Sequence, residues 1–398
     1  MSDEKKGLVP KLRFPEFEGT GEWSFVPLSK LAQRRTEKNR SGKLTRVLTN
    51  SAEHGVVDQR DFFDKDIAIQ GNLESYCVVE KGDFVYNPRI SKFAPVGPIS
   101  KNMLATGVMS PLYTVFRFEN ENDDFYLHYF YSTGWHNYMR QVSSTGARHD
   151  RMAISTDDFN AIPLPVAPYA KEQQKIADCL SSLDALISAQ ADKVGALKTH
   201  KKALMQQLFP REGETVPRLR FPEFRDSGEW DLKPLEEILS IGSGKDYKHL
   251  SDGDIPVYGS GGYMRQVNDY LYEGESVCIG RKGTIDKPMF LNGKFWTVDT
   301  LFYTHSFKDA LPKFVYALFQ NIQWLKHNEA GGVPSLSKTN IEKIEVAIPK
   351  QNEQQKIADC LSSLDELIAA EADKLDALKT HKKGLMQQLF PVLDEAAV

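Results

Sequence analysis

The chain has 398 residues, 41% hydrophobic and 26% charged, with a formal net charge of −4. That length suits two or three domains with their own cores, and the composition is that of an ordinary globular protein. The acidic balance counts against a stand-alone basic nucleic-acid binder, MSDEKKGLVP lacks the apolar core of a signal peptide, and no stretch reaches the length of a membrane span. Cys77, Cys179, Cys278 and Cys360 form no CxxC pair and read as reduced thiols of a cytoplasmic protein.

In chain order, a leading segment VPKLRFPEFEGTGEW (9–23) precedes a basic run from Lys30 to Arg46, with seven Lys or Arg against one Glu. Two β-like runs, GDFVYNPRI and LYTVFRF, and a helix-like stretch, FYLHYFYSTGWHNYMRQ, come next. A glycine-bearing loop, STGARHDRMAIS, then leads into a final strand, AIPLPV. The segment 172–210, EQQKIADCLSSLDALISAQADKVGALKTHKKALMQQLFP, reads as one long helix closed by Pro210. Within it Ile176, Leu180, Leu183, Ile187, Gln190, Val194, Leu197, Lys201, Leu204 and Leu208 step by four and three residues, the seam of a heptad repeat.

The pattern then restarts with VPRLRFPEFRDSGEW (216–230). GSGK (242–245) falls short of the GxxxxGK[ST] phosphate loop and reads as a glycine-rich turn. The β-like runs SVCIGRKGTI and KFWTVDTLFYTH follow, then a helix-like PKFVYALFQNIQWLKHN, the loop EAGGVPSLS and a final strand, KIEVAIP. The second long helix, 353–391, differs from the first at six of 39 positions. Its seam is Ile357, Leu361, Leu364, Ile368, Glu371, Leu375, Leu378, Lys382, Leu385 and Leu389. Each helix could cover a separate core, but so narrow a stripe favours a partner helix, and the nearest partner is the other copy. Like units tend to relate by a twofold, which makes the helices antiparallel and brings Lys382 near Asp184 and Lys201 near Asp365.

The expected fold class is therefore mixed α/β (α+β): two globular domains separated by two long antiparallel coiled-coil helices, with a pseudo-twofold internal repeat. The expected boundaries are a first domain 1–168, a first helix 169–210, a second domain 211–350, a second helix 351–391 and a tail 392–398. Nearly identical scaffolding around two divergent domains is what two different recognition tasks require.

GDFVYNP (82–88), MSPLYTVF (109–116), IPVYGSGG (255–262), IGRKGTI (279–285) and FWTVDTLFY (295–303) carry a more specific likeness. Together with the twice-repeated strand and EQQKIADCLSSLD, they resemble the specificity subunit of type I restriction–modification enzymes across nearly the whole chain. The first domain lacks the GRKGT and WTVDT patterns of the second, so the two resemble different classes of recognition domain. The resemblance implies a non-catalytic chain that binds double-stranded DNA, each domain reading half of a bipartite target. It also implies two methylation subunits using S-adenosylmethionine on adenine, and restriction (translocase/nuclease) subunits using ATP and Mg; those cofactors would belong to the partners.

The residues agree with that implication. Tyr86-Asn87-Pro88-Arg89 lacks the second proline and aromatic of an adenine methyltransferase motif, and no HExxH or Cys/His cluster suggests zinc. Phosphates and base edges call for Arg, Lys and polar side chains on protruding loops. In the first domain the candidates are Arg34, Arg35, Arg40, Arg89, Lys92, Arg148, His149 and Arg151. In the second they are Lys245, Lys248, Tyr263, Arg265, Arg281, Lys282, Thr284 and Lys338. The competing readings are a scaffold holding two proteins apart and an enzyme with a hidden nuclease or methyltransferase site.

Overall fold

A computed structural model describes residues 8–62, 73–120, 123–143 and 150–391. The chain divides into two compact units, Met1–Ala189 with Leu375–Val398, and Gln190–Lys374.

In the first unit the heart is an antiparallel four-stranded sheet in the order Ala32–Arg35, Thr114–Phe118, Phe84–Tyr86, Ile99–Lys101. Alternation in TVFRF turns Val115 and Phe116 toward buried surroundings on opposite faces. On one side Phe84, Phe116 and Phe118 meet Phe125, Tyr126 and Phe130 of the helix Asp123–Tyr131. On the other, Val85 and Val115 join Leu48, Val56, Val79 and Met109 in a smaller core. The leading segment enters as a strand, Ser24–Pro27, paired antiparallel with Pro163–Val166. Prolines 163 and 165 are tolerated there because the ladder has only two strands, each with a free edge.

The second unit has the same plan with different detail. Asp231–Pro234 pairs antiparallel with Glu345–Ile348, the counterpart of the ladder just described. One antiparallel sheet runs Ser240–Ser243, Leu301–His305, Ser276–Gly280, Met289–Leu291. A second runs Gly262–Val267, Ile255–Gly259, Lys294–Thr297, Tyr272–Glu273 and contains one parallel pair, Ile255–Gly259 with Lys294–Thr297. The helix Pro312–Asn321 buries Phe314, Val315, Leu318 and Phe319 against the first of these sheets.

Both long helices form over 39 residues, Ala170–Leu208 and Gln351–Leu389, about 58 Å at ~1.5 Å per residue. Each unit holds the start of one helix and the end of the other, running in opposite senses. In the first unit Ile176 and Leu180 share a core with Leu389 and Phe390, and Lys382 Nζ lies 2.5 Å from both carboxylate oxygens of Asp184. In the second, Leu208 and Phe209 share a core with Ile357 and Leu361, and Lys201 Nζ lies 2.6 and 2.7 Å from the oxygens of Asp365. These are the two ion pairs expected from the sequence. Near the middle of the seam Gln190 Nε2 donates to Glu371 Oε2 at 2.6 Å and to its carbonyl at 2.8 Å.

Every apolar seam residue is buried or half-buried, namely Ile176, Leu180, Leu183, Ile187, Leu375, Leu378, Leu385 and Leu389 in the first unit. The same holds for Val194, Leu197, Leu204, Leu208, Ile357, Leu361, Leu364 and Ile368 in the second. Off the seam, Leu186 and Leu367 are exposed.

The repeated leading segments have a definite task. Arg13 Nε and Nη2 donate to Glu172 at 2.6 and 2.7 Å, Nη1 donates to the Gly21 carbonyl at 2.8 Å, and Trp23 Nε1 donates to Glu172 at 3.3 Å. Arg220, Glu353, Gly228 and Trp230 repeat the arrangement in the second unit, with 2.7, 2.7, 2.6 and 3.3 Å. Glu172 and Glu353 stand in the first turns of the long helices, where a carboxylate is favoured by the helix dipole. Each RFPEF…GEW segment thus clamps its domain to the start of the helix that follows it. The same segments also touch a helix end: Leu12 N–H donates to the Gln388 carbonyl, and Leu219 N–H to that of Gln207.

Candidate nucleic-acid interface

In the first unit the sheet strand Phe84–Tyr86 runs out into a loop of exposed residues, Arg89 to Phe93. Asn87 shapes its start. The Asn87 side chain accepts from Arg89 N–H at 3.0 Å and donates to the Asn50 carbonyl at 2.9 Å, while Tyr86 OH donates to the Val96 carbonyl at 3.0 Å. Burial alone raises the Tyr86 phenol. The Tyr86-Asn87 pair is therefore occupied in holding the backbone. Gly97 closes the loop: with φ +81°, a Cβ there would sit 2.1 Å from the Asn87 carbonyl oxygen.

The segment 150–152 lies alongside, with Ile90 N–H donating to the Asp150 carbonyl and Met152 N–H to that of Pro88. This brings Arg89, Lys92 and Arg151 together. Arg89 and Lys92 have no ion-pair partner among the described residues, and Arg151 Nε is 3.7 Å from Asp150. Arg148 and His149 lie outside the described residues.

Arg34 lies at the base of this loop, donating to Thr156 Oγ1 at 2.9 Å and lining a cavity of about 210 Å³ with Tyr86, Pro88, Met152 and Phe159. Arg35 is differently placed. It binds Glu80 at 2.8 Å, and Glu80 and Asp83 also hold Arg117, at 3.2 and 2.7 Å. Burial raises the Asp83 carboxyl, against the pull of backbone N–H and Arg117. The charge of Arg35 is largely compensated, so it is a weak candidate for phosphate.

In the second unit three loops meet: the hairpin turn 259–262, the segment 281–284 and the loop 329–336. Gly283 N–H donates to the Pro334 carbonyl, Leu336 N–H donates to that of Arg281, and Lys282 bridges to Ser335. A Cβ on Gly283 (φ +86°) would lie 3.3 Å from Ser260 Oγ, so the turn and the segment are in contact. The 329–336 loop is fixed from within. Glu329 accepts from Ser337 N–H and Oγ and from Asn340 Nδ2 at 2.6–2.9 Å; those bonds, the Ser337 hydroxyl first, hold its carboxyl below the usual range.

On this cluster Arg281 and Lys282 are exposed without an ion pair among the described residues, and Tyr263 is exposed on the outgoing hairpin strand. Thr284 is half-buried, with its carbonyl turned back onto Gly280. Lys245 is exposed, without an ion pair among the described residues, at the end of a turn whose Gly244 packs on Val298, where a Cβ would sit 2.0 Å from the carbonyl oxygen. That close approach explains the glycine of GSGK without a phosphate. Lys338 opens the helix Lys338–Glu342 and pairs with Glu342 at 3.5 Å. Of the further candidates, Arg265 pairs with Asp252, while Arg40 and Lys248 are exposed.

Sequence reasoning overlooked Phe93 and Val333, both largely exposed at loop tips beside these cations. An apolar residue next to Lys or Gly between turn signals was the available clue.

Comparisons with known proteins bear on the same regions. Residues 227–380 match the family model described as type I restriction modification DNA specificity domain. The MjaVIII type I restriction enzyme specificity subunit of Methanocaldococcus jannaschii is 24% identical over 334 residues, 71% of this chain and 73% of that protein. The EcoDI specificity subunit of Escherichia coli is 25% identical over 168 residues, 41% of this chain and 37% of its own. Among solved structures, a type I restriction–modification S subunit from M. genitalium shares the fold with a TM-score of 0.61. It covers 97% of this chain and 100% of its own, at 14% identity. A chain from a structure of type I R-M complex assembly and conformational transition gives 0.57 over 93% and 97%, also at 14%.

Proposed function

We propose that this chain, similar in sequence and in fold to type I restriction–modification specificity subunits, reads a bipartite DNA target for such an enzyme. Each recognition domain, 1–168 and 211–350, reads one half-site, and the helices 169–210 and 351–391 set the gap. The partners are two methylation subunits, which modify adenine with S-adenosylmethionine, and restriction subunits, which use ATP and Mg.

One observation supports this reading above the others. The parts that build the frame are duplicated down to the Arg13–Glu172–Trp23 and Arg220–Glu353–Trp230 clamps, while the loops the frame presents differ. A scaffold needs the frame, but it does not need exposed cations on glycine-shaped loops in both domains. In the first domain Arg89, Lys92 and Arg151, with Arg34, Arg148 and His149 nearby in sequence or fold, are assigned to DNA; Arg35 keeps a structural share. In the second the assignment is Arg281, Lys282, Thr284, Tyr263, Lys245 and Lys338. Phosphate contacts fix register and base-edge contacts carry sequence.

The test is selection of bound duplexes from a randomised pool by the full-length protein, at several salt concentrations. Two enriched half-sites at fixed spacing, held with an affinity that falls steeply with salt, support the proposal. Retention of DNA without sequence enrichment, or none at any salt, refutes it.

A further inference from the structure

Phe93 is 56% exposed. Its backbone is nevertheless held closely. Ser91 and Ala94 exchange both backbone hydrogen bonds, at 3.0 and 3.2 Å, and Ser91 Oγ accepts from the N–H groups of Phe93 and Ala94. Buried Ala94 and Val96 anchor one side of this turn, and the Ile90–Asp150 bond anchors the other. The ring therefore stands in water on a closed turn, not on a loose loop. Lys92 Nζ lies 4.6 Å from the ring centroid, Arg89 is exposed in the same loop, and the run 87–95 contains no acidic residue.

A lone exposed apolar side chain is ordinary on a protein surface. A rigidly presented ring whose own loop carries two cations and no carboxylate suits a narrower class of partner. It matches a polyanion with apolar planes inside, and a DNA duplex is one: its phosphates take the cations and its base steps accept an inserted side chain. An apolar pocket on a protein would accept the ring without calling for the charges.

We propose that Phe93 is a wedge entering one base step of the duplex read by the first domain, with Arg89 and Lys92 on the adjoining phosphates. The proposal rests on the DNA-recognition reading above and adds to it how part of the sequence is read. Pyrimidine–purine steps unstack most readily. The first half-site therefore carries such a step at one fixed position, selected by deformability and not by base-edge hydrogen bonds.

The probe is the duplex selected by the full-length protein, with 2-aminopurine placed at successive positions. Wild-type protein should raise the fluorescence at one step. Phe93→Ala should abolish that rise, relax the preference for that step and weaken binding about tenfold, the scale of one lost aromatic stack. Phe93→Trp should retain all three properties, and equal melting temperatures would show that folded chains are being compared. Lys92→Ala should weaken binding to all duplexes alike and lower the salt dependence. Wild-type affinity and fluorescence in Phe93→Ala would overturn the wedge while leaving DNA recognition standing. Absence of any duplex binding by the wild-type protein would overturn both. A loss confined to binding of the methylation subunits would give the ring to a protein partner and overturn the wedge.

Discussion

Replacing Glu172 by Gln tests what holds the first domain to its helix. Arg13 and Glu172 keep only 6% and 0% of their side-chain surface, so neither charge has water to fall back on. The substitution leaves the guanidinium buried with a neutral amide, whose NH₂ opposes one of the two donating arms of Arg13. It also removes the charged acceptor of Trp23 Nε1. Breaking a buried pair from one side costs about 3–5 kcal/mol. In a unit of this size each kcal/mol lowers the melting temperature by roughly 2–4 °C, giving a fall of about 6–20 °C. Scanning calorimetry of the full-length protein measures it. Arg13→Met with Glu172→Leu removes both charges together and should recover most of the loss, because desolvation then no longer goes uncompensated. A Glu172→Gln protein melting within about 1 °C of wild type, or a double variant no better than the single one, would refute this account of the clamp. Glu353→Gln should behave alike, since its pair with Arg220 has the same geometry and burial.

Three further outcomes are expected. Lys201→Met together with Lys382→Met leaves Asp365 and Asp184 without their cations; as both carboxylates are half-open, each change should cost only about 1 kcal/mol, and unchanged denaturant midpoints would remove the seam pairs from the account. Arg281→Ala and Lys282→Ala should each weaken duplex binding and lower the log–log salt slope by about 1, whereas Arg35→Ala should act on melting more than on DNA; filter binding across a salt series distinguishes them. Burial, aided by Lys382, pushes His128 down to about 4, and burial, aided by Arg140, does the same to His136. Because the unfolded chain takes up protons near 6.5 that the folded one refuses, stability is complete above that pH and declines as pH falls toward 4. His128→Gln should flatten part of that decline, and melting curves at pH 7 and 5 that show no such change would contradict it.

The heptad spacing of 172–210 and 353–391 made the helices and the Lys201–Asp365 and Lys382–Asp184 pairs legible, because a repeat of known period fixes which residues meet across a seam. The likeness of the two final strands was legible for the same reason. The clamp was not: RFPEF and GEW were visible as repeats, but the contact of Arg13 with Glu172 spans 159 residues of chain and leaves no periodic trace. Charge counting also could not separate Arg35, compensated by Glu80, from Arg89 and Lys282, which face solvent without an ion pair among the described residues, since that depends on which strand neighbours which. Gly244 illustrates the converse. The spacing of GSGK set it apart from a phosphate loop, yet the close approach to Val298 that requires a glycine at 244 could be found only in the fold.

The central claim is that this chain chooses the DNA on which its partners act. Sequencing of methylated adenine in cells supplied with a type I methylation subunit, with and without this chain, tests it most directly. A two-part motif with a fixed gap, absent without the chain and respaced but otherwise unchanged when four residues are added to one long helix, is the result expected. Methylation by a demonstrably active partner that is the same with and without the chain would contradict it.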